Sequence, residues 1–135
     1  MIKNWLEIGN MHFDVTVLEI SENATILYSE NTGRTMSKGA RMTLDPLGTF
    51  IGHKIRVKRK GNKFADYDRL FNYVIKPRYN GIHVRAVHNQ TTIEYDAYIS
   101  SAERTLSKID NDGKRVYWKE MSLNIVPMEA EIMPV

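Results

Sequence analysis

Ile51-Gly-His-Lys-Ile-Arg-Val-Lys-Arg59 places Ile51, Ile55 and Val57 at alternate positions, with Lys54, Arg56 and Lys58 between them. Successive side chains of a strand point to opposite sides of a sheet, so this stretch reads as a β-strand with one buried and one basic face. The same period runs outward from it. Toward the N-terminus, Phe13, Val15 and Val17 alternate with His12, Asp14 and Thr16, and a second strand is expected over Ala24–Tyr28, linked to the first by Ser21-Glu22-Asn23. Toward the C-terminus, Ile82, Val84 and Ala86 alternate with His83 and Arg85. Ile93, Tyr95, Ala97 and Ile99 then alternate with Glu94 and Asp96, and Tyr117, Met121, Leu123 and Ile125 share a face of the run Arg115–Val126.

Turn chemistry punctuates these runs. Asn80-Gly81 and Asp112-Gly113 accept the positive φ angles of tight hairpin turns. The second is expected to join Arg104–Asp110 to Lys114–Val126, and Gly61-Asn62 to end the basic strand. One segment breaks the period of two: Tyr67, Leu70, Phe71, Val74 and Ile75 fall at helical spacing. Asp66 and Asp68 suit the positive end of a helix, Lys76 its negative end, and Pro77 stops it. The expected fold is therefore mainly β, a β-sandwich or half-open barrel with one flanking helix over residues 66–76.

The 135 residues, 42% hydrophobic and 26% charged, suit one domain over 1–135 with one core. Without cysteine, disulfides, thiolate metal sites and cysteine nucleophiles drop out. The start of the chain lacks the apolar run of a signal peptide, so Asn23-Ala-Thr and Asn89-Gln-Thr read as loop and strand-edge residues and not as glycosylation sites. No apolar stretch approaches the roughly 20 residues of a membrane span.

No motif carries chemistry. Gly33, Gly39, Gly48 and Gly52 are scattered, without the strand-to-helix setting of a phosphate loop. His83 and His88 fall on opposite faces of a regular strand and do not converge on a metal, and His12 and His53 read as surface or satisfied core residues. Neither a catalytic residue nor a cofactor, metal or small-molecule substrate is expected. Tyr95 and Tyr117 belong to the inner face, which favours core packing over an aromatic platform for nucleic acid.

The net charge of +3 hides a division. Arg34 to Lys63 holds nine basic residues and one acid, a net of +8; the remainder holds ten basic and fifteen acidic residues, a net of −5. Such asymmetry points to a complementary contact. The candidate contact residues are Arg34, Lys38, Arg41 and Asp45, in an irregular stretch 29–49 read as a long inter-subunit arm, and the basic strand face Lys54, Arg56, Lys58 and Lys60. An alternative reading puts that face on nucleic-acid phosphates, as a small binding barrel. Residues 127–135 read as an extended tail able to dock on a neighbour.

The stretch Asn31-Thr-Gly-Arg-Thr-Met-Ser-Lys-Gly-Ala-Arg-Met-Thr-Leu-Asp-Pro-Leu-Gly-Thr49 leads by Gly-Thr into the basic strand. The helix, the strand Ile93–Ser100 and the late strand Tyr117-Trp-Lys-Glu-Met-Ser-Leu-Asn-Ile-Val126 follow in order. In this order and spacing, from about Met11 to Met128, the chain resembles a family of small tail proteins of long-tailed bacteriophages and prophages. The tail beyond Val126 departs from the pattern. The resemblance implies a tail-tube-like fold and a non-enzymatic tail-tube or distal-tail (baseplate) subunit. It also implies rings, usually hexameric, that contact other tail proteins and enclose a channel through which DNA only passes. Its expected location is the virion, and the host cytoplasm during assembly.

Overall fold

A computed structural model describes residues 6–34 and 41–135. The elements run β1 (Glu7–Ile8), β2 (Val15–Tyr28), β3 (Gly33–Arg34), β4 (Met42–Thr43), β5 (Pro46–Arg59), α1 (Ala65–Val74), β6 (Ile82–His88), β7 (Thr91–Ile109) and β8 (Val116–Pro127). Six strands form one antiparallel sheet in the order β1-β6-β7-β8-β5-β2, and β3 and β4 form a separate two-stranded ribbon. The fold is mainly β with a single helix, as the alternating and helical periods require.

The sheet curls. β2 and β6 are separated by three strands in the sheet order, yet Glu22 of β2 reaches His88 of β6 at 2.7 Å. Curling turns the alternating apolar residues inward: Ile55 and Val57 of β5, Val84 and Ala86 of β6, Ala97 of β7, and Met121, Leu123 and Ile125 of β8 are all buried. The result is a half-open barrel. α1 lies across the open interior and buries Tyr67, Leu70 and Val74 there.

The helix is tied at several points. Tyr67 donates its hydroxyl hydrogen to the Lys119 carbonyl at 2.8 Å, and the Asp14 N–H donates to Asp66 Oδ2 at 2.7 Å. Arg104 of β7 pairs with Asp68 at 3.0 Å and lays its guanidinium over Phe71 and Trp118. The helix ends at Val74, two residues before the expected Lys76. Ile75 is half exposed and outside the buried stripe, and the residue before Pro77 is pushed out of the α region.

Two expectations about connections change. Ser21-Glu22-Asn23 is no link: β2 is continuous over fourteen residues, because β5 pairs with it through this point, at Ser21–Lys54, Glu22–His53 and Asn23–Gly52. Asn80-Gly81 does use a positive φ, +73° at Gly81, but it leads from α1 into β6. The β6–β7 hairpin turns instead at Asn89, φ +52°. A side chain at Gly81 would meet the Ala97 carbonyl oxygen and Met128 Sδ, both at 2.5 Å, so close approach demands glycine there as much as the angle does. Asp112-Gly113 turns the β7–β8 hairpin as expected.

The tail also differs from expectation. Met128 donates its N–H to the Asp96 carbonyl at 2.9 Å, Glu131 donates to the Thr49 carbonyl at 2.8 Å, and Thr49 donates back to the Ile132 carbonyl at 2.8 Å. Residues 128–132 therefore dock on the chain's own β7 and β5, where the expected contact was a neighbour. Unpaired backbone groups of β5 beyond the reach of β8 offer the nearest partners.

Candidate assembly interface

Pairing between β5 and β8 covers only His53 to Val57, whereas β2 and β5 stay paired out to Tyr28 and Pro46. The distal half of this hairpin leaves the barrel as an arm. The stretch read as a loop over 29–49 is shorter than expected, since β5 begins at Pro46 and β3–β4 form a ribbon beyond the arm. At the arm's end, Ser29 donates its hydroxyl hydrogen to Asp45 Oδ2, the Asp45 N–H donates to Thr32 Oγ1 at 2.9 Å, and the Ser29 N–H donates to the Asp45 carbonyl at 2.9 Å. Asp45 thus serves its own chain, closing the hairpin. Arg41 is exposed just before β4. Arg34 lends its backbone to β3, pairing with Met42; its side chain and all of Lys38 lie outside the described residues.

The basic strand face is present, and two of its four cations, Arg56 and Lys60, are paired within the chain. Arg56 donates to Glu19 of β2 and to Glu120 on β8, each at 2.8 Å. Lys60 and Lys63 both pair with Asp14, at 3.2 and 2.9 Å, and the Lys63 and Lys60 ammoniums hold the Asp14 carboxyl below the usual carboxylate range. Arg59 stacks over Phe64 and Tyr117, 4.7 and 4.9 Å from the ring centres. Lys54 and Lys58 are exposed and carry no ion pair among the described residues. Cross-strand pairing has spread acids from distant sequence positions among the cations. A phosphate backbone laid along this strand would meet Glu19 and Glu120 beside Arg56.

The outer face of β6–β7 repeats the theme. His83 sits between Asp96, 3.1 Å from Nδ1, and Glu94, 3.4 Å from Nε2, and Arg85 pairs with Glu94 at 3.0 Å. The hydrogen bond to Asp96, then that to Glu94, raises the His83 pKa above its ordinary value near 6.5. A raised folded-state pKa contributes stability that is fully present below the unfolded value and is lost as pH rises through the folded value. The stability difference between the native chain and His83→Gln should therefore be largest near pH 5 and shrink above about 6.5. Urea unfolding across this range measures it, and a pH-independent difference would contradict the assignment. His83 and His88 do lie on opposite faces, as the strand period requires: His88 turns to Glu22 across the barrel seam.

What the sequence reading missed is apolar. Ile26, Leu27, Tyr28, Met42, Leu44 and Leu47 are all at least 40% exposed on or beside the arm. The signal was present in Leu44-Asp-Pro-Leu47, whose two leucines sit in a stretch with no core to enter. From Ala24 to Tyr28 and from Pro46 to Gly52 there is no charged residue, so the arm has an uncharged stem. A second apolar surface lies where the curled sheet fails to close. Between β1 and β2, the sheet's two edges, a cleft of ≈ 360 Å³ is lined by Leu6, Ile8, Phe13, Val15, Val17 and Ile20, with Leu70 at its floor and His12 beside them. Comparison with protein-family models, with characterised proteins and with solved structures gives no match.

Proposed function

We infer that this chain is a non-enzymatic structural subunit of a bacteriophage or prophage tail, a tail-tube or distal-tail component that assembles into rings and contacts neighbouring tail proteins. The observation that carries the reading is the exposed apolar arm, with its uncharged stem, at the end of a fourteen-residue edge strand. A monomer leaves both the apolar surface and the strand's outer hydrogen-bonding groups uncovered, a combination that soluble monomers avoid and assembling subunits use. Support comes also from the half-open barrel with one flanking helix and from the order of turns and strands that resembles small tail proteins. This reading includes no small-molecule substrate, and DNA enters it only as cargo passing through a channel.

Mass measurement of the full chain by light scattering, with electron microscopy of the same sample, tests the reading. Rings of about six copies are expected, formed at high concentration or with neighbouring tail proteins. A chain that remains at the 15.6 kDa of one copy under all these conditions would overturn it.

A further inference from the structure

We propose that the end of the barrel where β5 meets the β7–β8 hairpin binds the phosphate backbone of nucleic acid. The inference goes beyond the tail reading and holds whether or not the chain forms rings. Phe64, which precedes α1, and Tyr117 of β8 meet edge to face, 5.6 Å between ring centres. Three cations lie over these rings: Arg59 over both, Arg115 at 5.1 Å from Phe64, and Lys108 at 4.7 Å from Tyr117. Beside them opens a cavity of ≈ 330 Å³ lined by Lys58, Arg59 and Lys119, with Trp118 in its wall.

None of these five cations has an ion-pair partner among the described residues. All sixteen acidic residues of the chain lie among those residues, so no further Asp or Glu remains to neutralise them. The nearby acids have other partners. Glu120, also on the cavity wall, binds Arg56 at 2.8 Å, Asp110 accepts the Tyr117 hydroxyl hydrogen at 3.4 Å, and Asp112 accepts the Lys114 N–H at 3.0 Å. Arg59 Nη1 is buried without a hydrogen-bond partner, a donor that a native protein normally satisfies. Stacking on the rings holds the cations in place without cancelling their charge, and their clustering concentrates positive potential at this end.

The chemistry favours nucleic acid over an acidic protein. Contacts between proteins are poor in lysine, whereas those with nucleic acid are far more positively charged, and three of the five cations here are lysines. The rings carry cations instead of offering open platforms for bases, so the contact is with phosphates and reads no sequence.

Fluorescence anisotropy of the full chain with a labelled oligothymidylate of about 20 nucleotides tests the proposal. Affinity should fall about 100-fold between about 50 and 200 mM salt, as five phosphate contacts on a single strand require. Lys108→Ala with Arg115→Ala should weaken binding at least about 10-fold at the lower salt and flatten the salt dependence by two contacts, and Lys58→Ala with Lys119→Ala should do the same. All four positions are exposed, and circular dichroism checks that each variant folds. Lys108→Arg with Arg115→Lys, which keeps the charge, should retain binding. Lys76→Ala removes an exposed cation beyond the opposite end of α1 and should change affinity less than about 2-fold. Absence of binding at about 50 mM salt, or an equal loss with Lys76→Ala, overturns the proposal. Polyglutamate that displaces the oligonucleotide as well as unlabelled oligonucleotide does would assign the patch to an acidic protein instead and overturn it too.

Discussion

Replacing His53 with alanine is expected to lower the unfolding free energy by about 3–5 kcal/mol, the sum of a cavity and two orphaned hydrogen-bonding groups. His53 is 1% exposed, on the inner face of β5. Its Nε2 lies 2.9 Å from the Val87 carbonyl oxygen, which only accepts, so Nε2 carries the proton. In the neutral ring Nδ1 then accepts the Tyr95 hydroxyl hydrogen at 2.6 Å, and the two rings stack at 5.6 Å. Burial, and the nearby Glu22 charge, push the Tyr95 phenol well above its usual range, so it remains a donor. Neither Val87 nor Tyr95 is on a neighbour of β5 in the sheet. The imidazole ties β5 to β6 and β7 across the barrel interior, where backbone pairing cannot reach. Urea unfolding measures the loss, and a value under about 1 kcal/mol would mean that water or repacking replaces the tie. The Tyr95→Phe change should cost less in the alanine background than in the native chain, because the two residues share one hydrogen bond.

Leu70→Ala should cost about 3–5 kcal/mol as well, by a purely apolar route. Leu70 is 1% exposed at the middle of α1, flanked by Tyr67 and Val74 on the stripe that seals the half-open barrel. Its removal leaves a hole where the helix, the sheet interior and the cleft meet. Ile75→Ala, five residues on at the helix C-cap and half exposed, should change stability by no more than about 0.5 kcal/mol. Comparable losses at the two positions in denaturant titrations would contradict the docking of the helix.

Strand faces were legible because alternation is local. Lys54 and Lys58 are exposed and Ile55 and Val57 buried, as period two requires, and the helix announced itself by breaking that period. Connections were less legible. Asn-Gly marks a positive φ without saying what lies on either side, so Asn80-Gly81 read as a hairpin and Asn89 went unnoticed. Within Ser21-Glu22-Asn23, Glu22 crosses the seam to His88, a partner 66 positions away.

Charge shows the divide most clearly. By sequence, residues 34–63 form a block of +8; in three dimensions Arg56 sits between Glu19 and Glu120, and Asp14 takes both Lys60 and Lys63. Part of the patch expected to define a partner is paired within the chain. The exposed apolar surfaces on the arm and in the cleft were not visible as such in the linear sequence.

The amino-acid sequence by itself determined the element types, the inward residues of the regular strands such as β5 and β6, and the absence of thiol chemistry, because these depend on composition and on the geometry of neighbouring residues along one chain; on β8 a register shift puts Trp118 against the core where Tyr117 was expected. Only the tertiary structure decided the strand order, the crossing of the seam by Glu22 and of the interior by His53, the partial neutralisation of the basic strand and the open edge between β1 and β2. Each of these depends on how the sheet curls, and curling brings together residues whose separation along the chain carries no local signal.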